Sequence, residues 1–257
     1  MFRIATWNVN SLRVRLPHVL QWLEHEQPDV LALQETKTVD ENFPIDEIQN
    51  AGYQAAYAGQ KTYNGVATLS KQKANNVITS LPDFDDPQRR VLCATTNEVV
   101  VLNIYVPNGS EVGSEKYDYK LKWLTHLQSF TKALLAKHKY VILLGDFNIA
   151  PEDRDVHDPE AWEGKVLVSK KERDAFHQLL AHGLKDSFRL FEQEENSFSW
   201  WDYRAVGFRR NRGLRIDHIL ASAALAERCL GCLIDKAPRK LERPSDHTPV
   251  MAEFDLD

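Results

Sequence analysis

The chain has 257 residues, with 32 Lys and Arg against 37 Asp and Glu, a formal net charge of −5. Hydrophobic residues at 43% and charged residues at 27% give the balance of a folded globular protein, which excludes a disordered chain. No apolar run approaches the ~18–20 residues that cross a bilayer, and the acidic balance argues against coating nucleic acid through bulk charge, though not against a local basic groove.

Residues 2–9 read as a strand, which leaves no room for a signal peptide ahead of it. Leu16, Val19, Leu20 and Leu23 recur at helical spacing, and Pro28 ends the run. Residues 30–33 form a buried strand running into Gln34-Glu35. Strands over 65–70, 77–81, 91–96 and 99–106 follow with little room for helices between them. Thr96-Asn97 marks a tight hairpin, so this sheet is largely antiparallel. A long helix is predicted from Glu115 to Lys137, with Leu121, Leu124, Leu127, Phe130 and Leu134 on one stripe.

The second half opens as the first does. A strand over 141–144 ends in Gly145-Asp146-Phe147-Asn148, echoing Thr6-Trp7-Asn8. A polar stretch, 151–170, precedes a helix carrying Phe176, Leu179 and Leu180 and capped by Gly183. Strands near 198–201, 214–221, 229–234 and 250–254 complete the pattern. No Pro/Gly/Ser-rich linker divides the halves, so the expectation is one domain over 1–257, with two sheets face to face and helices outside. Three cysteines, an odd number and few for the length, favour a reducing cytoplasm over a disulfide scaffold.

Polar side chains gather at the carboxyl ends of these strands: Asn8, Glu35, Tyr105, Asp146, Asn148, Asp217, Asp246 and His247. Each alone has a plain reading. Asp146-Phe147-Asn148 suits a turn, Tyr105 a half-buried strand position, and His247 a loop. Together they make a chemical inventory. Hard divalent cations take oxygen ligands, and Glu35 with an Asn8 amide oxygen, or Asp246, would supply that shell. Asp217 would orient the His247 imidazole, and Asp146 with Asn148 would hold and deprotonate a water. Oxygen ligands, a carboxylate–His pair and no nucleophile motif suit metal-assisted phosphoester hydrolysis.

Eight segments then carry a resemblance across essentially the whole chain. They include Thr6-Trp7-Asn8-Val9-Asn10, Leu33-Gln34-Glu35-Thr36-Lys37, Gln88-Arg89-Arg90 and Asn103-Ile104-Tyr105-Val106-Pro107-Asn108-Gly109. Leu144-Gly145-Asp146-Phe147-Asn148, Phe198-Ser199-Trp200-Trp201, Asn211-Arg212-Gly213-Leu214-Arg215-Ile216-Asp217 and Pro244-Ser245-Asp246-His247-Thr248-Pro249 complete the set. The sequence resembles the exonuclease III type of the endonuclease/exonuclease/phosphatase superfamily. The resemblance implies a four-layer α/β/β/α sandwich of two mainly antiparallel sheets and a Mg²⁺- or Mn²⁺-dependent DNA phosphodiesterase. It makes Glu35 the main metal ligand with Asn8 and Asp246 near it, and leaves open a second metal position involving Asp146, Asn148 and His247. Asp146 would activate water, Asn148 and His247 would stabilise the pentavalent phosphate, and Asp217 would orient His247. Tyr105 would act at the leaving side or on phosphate.

Residues 203–216 hold Arg204, Arg209, Arg210, Arg212 and Arg215 without an acidic residue, just after Trp200-Trp201. Basic side chains beside an aromatic wedge suit phosphate tracking and insertion into a distorted duplex. The plain alternative is a solvated loop with core tryptophans. The expected DNA contacts are Arg90, Asn108, Lys116, Lys120, Trp201, Arg209, Arg210 and Arg212, although Lys116, Lys120 and Lys122 also suit the wet face of the long helix. Duplex DNA with abasic sites or with blocked or free 3′ ends is the expected partner of a monomer, with no membrane involved. A headgroup phosphatase of the same superfamily and a silent nucleic-acid-binding relative are the alternatives.

Cys229-Leu230-Gly231-Cys232 has CxxC spacing, but no second pair exists and the two thiols should face opposite sides of a strand. His218 should point away from the site. Trp201 stands where relatives commonly have Phe, and 153–169 matches only loosely. Crowding by Trp201, by His157 and Trp162, and by Tyr63 leads to the expectation that 3′-end processing is at least as strong as abasic-site incision.

Overall fold

A computed structural model describes residues 1–256, in which the apolar runs become two six-stranded sheets. In chain order the strands are β1 (Phe2–Asn8), β2 (Val30–Gln34), β3 (Gln54–Ala58), β4 (Val66–Ser70), β5 (Asn75–Ile78), β6 (Val91–Thr96) and β7 (Val99–Tyr105). They continue as β8 (Val141–Asp146), β9 (Leu184–Asp186), β10 (Trp200–Trp201), β11 (Gly213–Leu214), β12 (Asp217–Ser222), β13 (Cys229–Ile234) and β14 (Val250–Phe254). The α-helices are α1 (Leu12–Glu26), α2 (Ile45–Asn50), α3 (Glu115–Lys137), α4 (Pro159–Trp162), α5 (Lys170–Ala181) and α6 (Ala223–Ala226).

One sheet runs β13-β14-β1-β2-β4-β3 and the other β5-β6-β7-β8-β12-β9, with β10 and β11 as a separate ribbon. Each sheet has one parallel pair, β1 with β2 and β7 with β8, and its other pairings are antiparallel. A parallel pair requires a crossover, and α1 and α3 supply the two. Phe2, Ile4, Val30 and Ala32 of one sheet pack on Val101, Ile142, Leu144 and Ile219 of the other. The outer face of the first sheet covers α1 and α2 through Trp7, Leu33, Val19 and Ile48. The outer face of the second meets α3 and α5 through Leu102, Leu143, Leu127 and Phe176. The layers are therefore α/β/β/α, as the resemblance implied.

The long helix has its predicted ends, and the Ser114 side chain accepts the Tyr117 N–H as its N-cap. The hairpin turn uses Asn97 and Glu98, both at positive φ, as a two-residue turn between twisted strands requires. Three features differ from expectation. β5 covers Asn75–Ile78 rather than 77–81, and it is exposed throughout, so no buried face registers it in the apolar pattern. α2 and β3 form where the apolar pattern predicts no element, because the edge strand Gln54–Ala58 contains alanines rather than β-branched residues. A bulge between Cys229 and Gly231 adds a residue to β13, so Cys229 opposes Phe254 and Cys232 opposes Ala252. The two thiols thus share a face, contrary to the alternation argument, and both are free. Among the described residues, no helix is long and apolar enough to cross a membrane.

Arg215 leaves the basic stretch altogether. It is buried, with Nε donating to Asp155 Oδ1 at 2.7 Å, Nη2 2.8 Å from Asp186 Oδ2, and Nη1 3.0 Å from His218 Nδ1. His218 Nε2 donates to the Ile149 carbonyl, so its ring points away from the strand-end cluster as expected. Removing the Arg215 cation takes the ion-pair partner from buried Asp186 and leaves Asp155 with Arg189 alone. Arg215→Met is expected to cost about 3–5 kcal/mol in urea unfolding, against about 0.5 kcal/mol or less for Arg209→Ala on the surface.

Candidate active site

The parallel pairs bring their carboxyl ends to one rim. Asn8, last in β1, donates Nδ2 to Glu35 Oε1 at 2.8 Å and to Asp146 Oδ2 at 2.9 Å. Glu35 follows β2 and Asp146 ends β8, so one buried amide joins a carboxylate from each sheet. The backbone is strained here: Asn10, Glu35, Lys37 and Asn148 have φ of 44, 52, 51 and 49°, the left-handed region that costs side-chain-bearing residues energy.

Asp217 opposes Asp146 across the β12–β8 pairing, where two like charges would repel. His247 stands between them. Its Nδ1 lies 2.9 Å from Asp217 Oδ2, and its Nε2 is 3.7 Å from Asp146 Oδ2. Ser199 Oγ donates to the same Asp217 oxygen at 2.6 Å, fixing the carboxylate. Burial alone would lower the His247 pKa, but Asp217 and Asp146 overcome it and lift it to about 10, which makes the ring an imidazolium at neutral pH. Burial, with help from the Asp217 charge, raises Asp146 from 3.8 to about 7, against the pull of His247 and Asn8.

Burial would also raise Glu35, yet the Lys37 ammonium and the Asn8 amide carry it below its ordinary value. Lys37 Nζ stands 2.9 Å from Glu35 Oε2 and donates to Asn10 Oδ1 at 2.6 Å. Burial and the Glu35 and Asp146 charges push the Tyr105 phenol well above 10, so it remains protonated. The Arg90 guanidinium lies over that ring, 4.5 Å from its centre, with Nε donating to Gln88. Asn148 Nδ2 faces the Val106 carbonyl and Asp146, and its Oδ1 accepts from Asn108 at 3.2 Å. A cleft of about 450 Å³ leads from Glu35 and Tyr105 past Arg90, Asn108 and Lys116, with the exposed Tyr63 on its wall. A larger groove, of about 940 Å³ beside Asp153 and Glu194, contains none of these candidates.

Several expected roles change. Trp201 is fully buried, its Nε1 donating to Asn211 Oδ1 and its ring edge-on to Phe208 at 5.0 Å. Its bulk therefore enters the core beneath the arginine loop and crowds no pocket. Lys120 is also fully buried and paired with Glu172, so it makes no DNA contact. Asp246 gives its oxygens to Asn10 Nδ2 and Trp200 Nε1 and lies outside the Glu35–Asp146–His247 group. Asn8 turns its oxygen to the Asn10 N–H and its amino group to the carboxylates, the reverse of a ligand's orientation. Arg209, Arg210 and Arg212 are exposed, whereas Arg204 pairs with Asp202. Lys37 and Ser199 were missed. Lys37 had a signal, standing two residues from Glu35 in a motif already singled out. Ser199 also stands in one of those segments, Phe198-Ser199-Trp200-Trp201, but nothing in the sequence pairs it with Asp217, because that reach depends on the folded ribbon.

Glu35, Asp146 and His247 offer ligand atoms all within 4.8 Å of one another. The two carboxylates are oxygen ligands of the kind a hard divalent cation takes, while His247, held as an imidazolium by Asp217, stands beside them as a donor. Glu35→Gln is expected to weaken Mn²⁺ binding at least tenfold by titration calorimetry, about 1.4 kcal/mol, without changing the fold.

Known proteins match this chain in sequence and fold. The profile described as the Endonuclease/Exonuclease/phosphatase family aligns with residues 5–247. Exodeoxyribonuclease III of Haemophilus influenzae is 40% identical over 98% of this chain and 99% of its own. A 3′ phosphatase from Neisseria, solved with a product DNA hairpin, superposes with a TM-score of 0.98 at 47% identity, covering 99% of this chain and 100% of that one. An AP endonuclease from Archaeoglobus fulgidus superposes at 0.94 with 38% identity, covering 100% of both chains.

Proposed function

Because the chain belongs to the endonuclease/exonuclease/phosphatase family and is a DNA-repair nuclease within it, we propose that its site hydrolyses phosphoesters at the 3′ ends of duplex DNA, as exonuclease and 3′-phosphatase, at least as well as it incises abasic sites. The observation that carries this reading is the convergence of Glu35, Asp146 and His247 where the two sheets meet. The 47% identity to a 3′ phosphatase supports the 3′ end, and the 38% identity to an AP endonuclease keeps abasic incision as the second activity. Tyr63 on the cleft wall narrows the room for an extrahelical sugar, which a fraying 3′ end does not need.

Glu35, with the Asp146 carboxylate alongside, would hold Mg²⁺ or Mn²⁺, which when bound would supply Lewis-acid polarisation of the phosphoryl oxygen. Asp146 takes the proton from the attacking water, a role suited to a carboxyl raised towards neutral pH by burial. The His247 imidazolium, held by Asp217, donates Nε2–H to charge building on phosphorus-bound oxygen. Asn148 Nδ2, held between the Val106 carbonyl and Asp146, keeps the Asp146 carboxylate oriented. The protonated Tyr105 donates to phosphate or to the leaving oxygen rather than acting as a base. Arg90, Asn108 and Lys116 along the cleft, and Arg209, Arg210 and Arg212 on the loop, hold the backbone without reading sequence.

The test compares a duplex ending in a 3′-phosphate with one carrying an internal abasic analogue, with Mg²⁺ and with chelator. Phosphate release should equal or exceed incision, and chelator should stop both. Incision more than about tenfold faster, roughly 1.4 kcal/mol in the barrier, overturns the 3′-end reading. Asp146→Asn should lose about 100-fold or more in turnover while holding duplex as tightly as the wild type. Undiminished turnover would remove Asp146 as the base.

A further inference from the structure

Lys120 is a fully buried ammonium that the chemistry above leaves unused. It lies on α3 one turn after Tyr117, and both side chains cross to the start of α5. Tyr117 Oη lies 2.6 Å from Ser169 Oγ, and Lys120 Nζ pairs with Glu172. Ser169 and Glu172 form the capping box of α5, so the helix start is itself the acceptor for this ladder. The Glu172 carboxylate also accepts the Leu167 and Ser169 N–H groups, tying down the segment before α5.

The ammonium has three hydrogens, and its two further acceptors are main-chain carbonyls of the candidate site. Nζ donates to Asn148 O at 2.7 Å and to Asn108 O at 3.1 Å. Asn148 follows β8 and carries a left-handed φ, while Asn108 follows β7, so one cation draws the two strand ends together from beneath. The contact of Asn108 Nδ2 with Asn148 Oδ1, above them, depends on that spacing. Gly109 marks how closely the chain approaches: a Cβ there would sit 3.1 Å from Lys120 Cδ and 3.2 Å from Val166 Cγ2.

We propose that Lys120 is a positioning residue for phosphoester hydrolysis, holding the Asn108 and Asn148 backbones so that the Asn148 amide and Asp146 keep their mutual geometry. The proposal rests on the hydrolytic reading above. It makes Lys120 part of the site's support rather than of its DNA-contacting surface, and it gives a function to an ion pair that burial alone makes costly.

The experiment measures kcat and KM on the 3′-phosphate duplex, per folded molecule and below the unfolding temperature. The variants are Lys120→Met/Glu172→Gln, which removes the buried pair together, and Lys120→Arg, which keeps the cation paired with Glu172 while its planar fork cannot match the ammonium's three directions. Hydrolysis by the wild type comes first, so failure of the hydrolytic reading shows there and nowhere else. Given wild-type activity, the double variant should lose about 30-fold or more in kcat with KM within about threefold, the pattern of a misplaced reacting group. Lys120→Arg should lose about tenfold in kcat with an unfolding temperature near the wild type's, and it decides the matter alone if the double variant does not fold. A kcat within about threefold of wild type in the folded variants would overturn the proposal, leaving Lys120 purely structural. A change confined to KM would overturn it too, making Lys120 a substrate contact.

Discussion

Two carboxylates of like charge have to stay side by side out of water, and the rest of the molecule is arranged to make that tolerable. Glu35 comes from one sheet and Asp146 from the other, and the Asn8 amide gives one N–H to each. That bridge works only if the sheets hold a fixed register. Behind it, Gln34 Nε2 donates to Asn103 Oδ1 at 2.8 Å, and Asn103 donates to the Leu33 and Ala67 carbonyls. All of these groups are buried, so a slip between sheets would leave several polar groups unpaired at once. The parallel pairs are the means of delivery: each crossover helix returns the chain to start a second strand in the same direction, and both pairs finish at the same rim.

Charge balance at the rim follows from placement. Lys37 stands against Glu35, and His247 lies between Asp146 and Asp217, so each carboxylate has a cation within reach. The two acids then diverge. Glu35 is held below its ordinary value, which suits its proposed role as metal ligand, while burial leaves Asp146 higher, which suits its proposed role as proton acceptor. Asp246 serves the frame instead, receiving Trp200 and Asn10 and so fixing the turn that presents His247. The Arg239 guanidinium lies among the rings of Trp201, Tyr203 and Phe208 and donates to the Ser245 carbonyl, which joins the arginine loop to that same turn.

The strand ends were legible because turn-forming and titratable residues interrupt otherwise apolar runs, which brought Asn8, Glu35, Asp146, Asp217 and His247 into view together. Burial of the long polar side chains was not. Lys120 sits among charged neighbours on a surface-looking helix turn, and only the capping box of α5, which lies 49 residues downstream at Ser169, supplies the anion that lets it enter the core. Arg215 and Trp201 misled in the same way, since their partners Asp155 and Asn211 arrive through loops that carry no periodicity. The exposed strand β5 and the alanine-containing β3 escaped for the opposite reason, having too few large apolar residues to register. Short-range pattern therefore located the candidate site, and long-range pairing decided which of the nearby polar residues converge on it.

In the proposed mechanism Asp217, His247 and Asp146 act as one unit, with Asp217 working mainly through the imidazole it holds. A double-mutant cycle on turnover tests this directly, using Asp217→Asn, His247→Gln and the pair together at saturating metal. The double variant should be only slightly slower than the worse single, a coupling on the order of the smaller single loss. Losses that multiply in full would contradict it, because two residues acting independently do not share a single function.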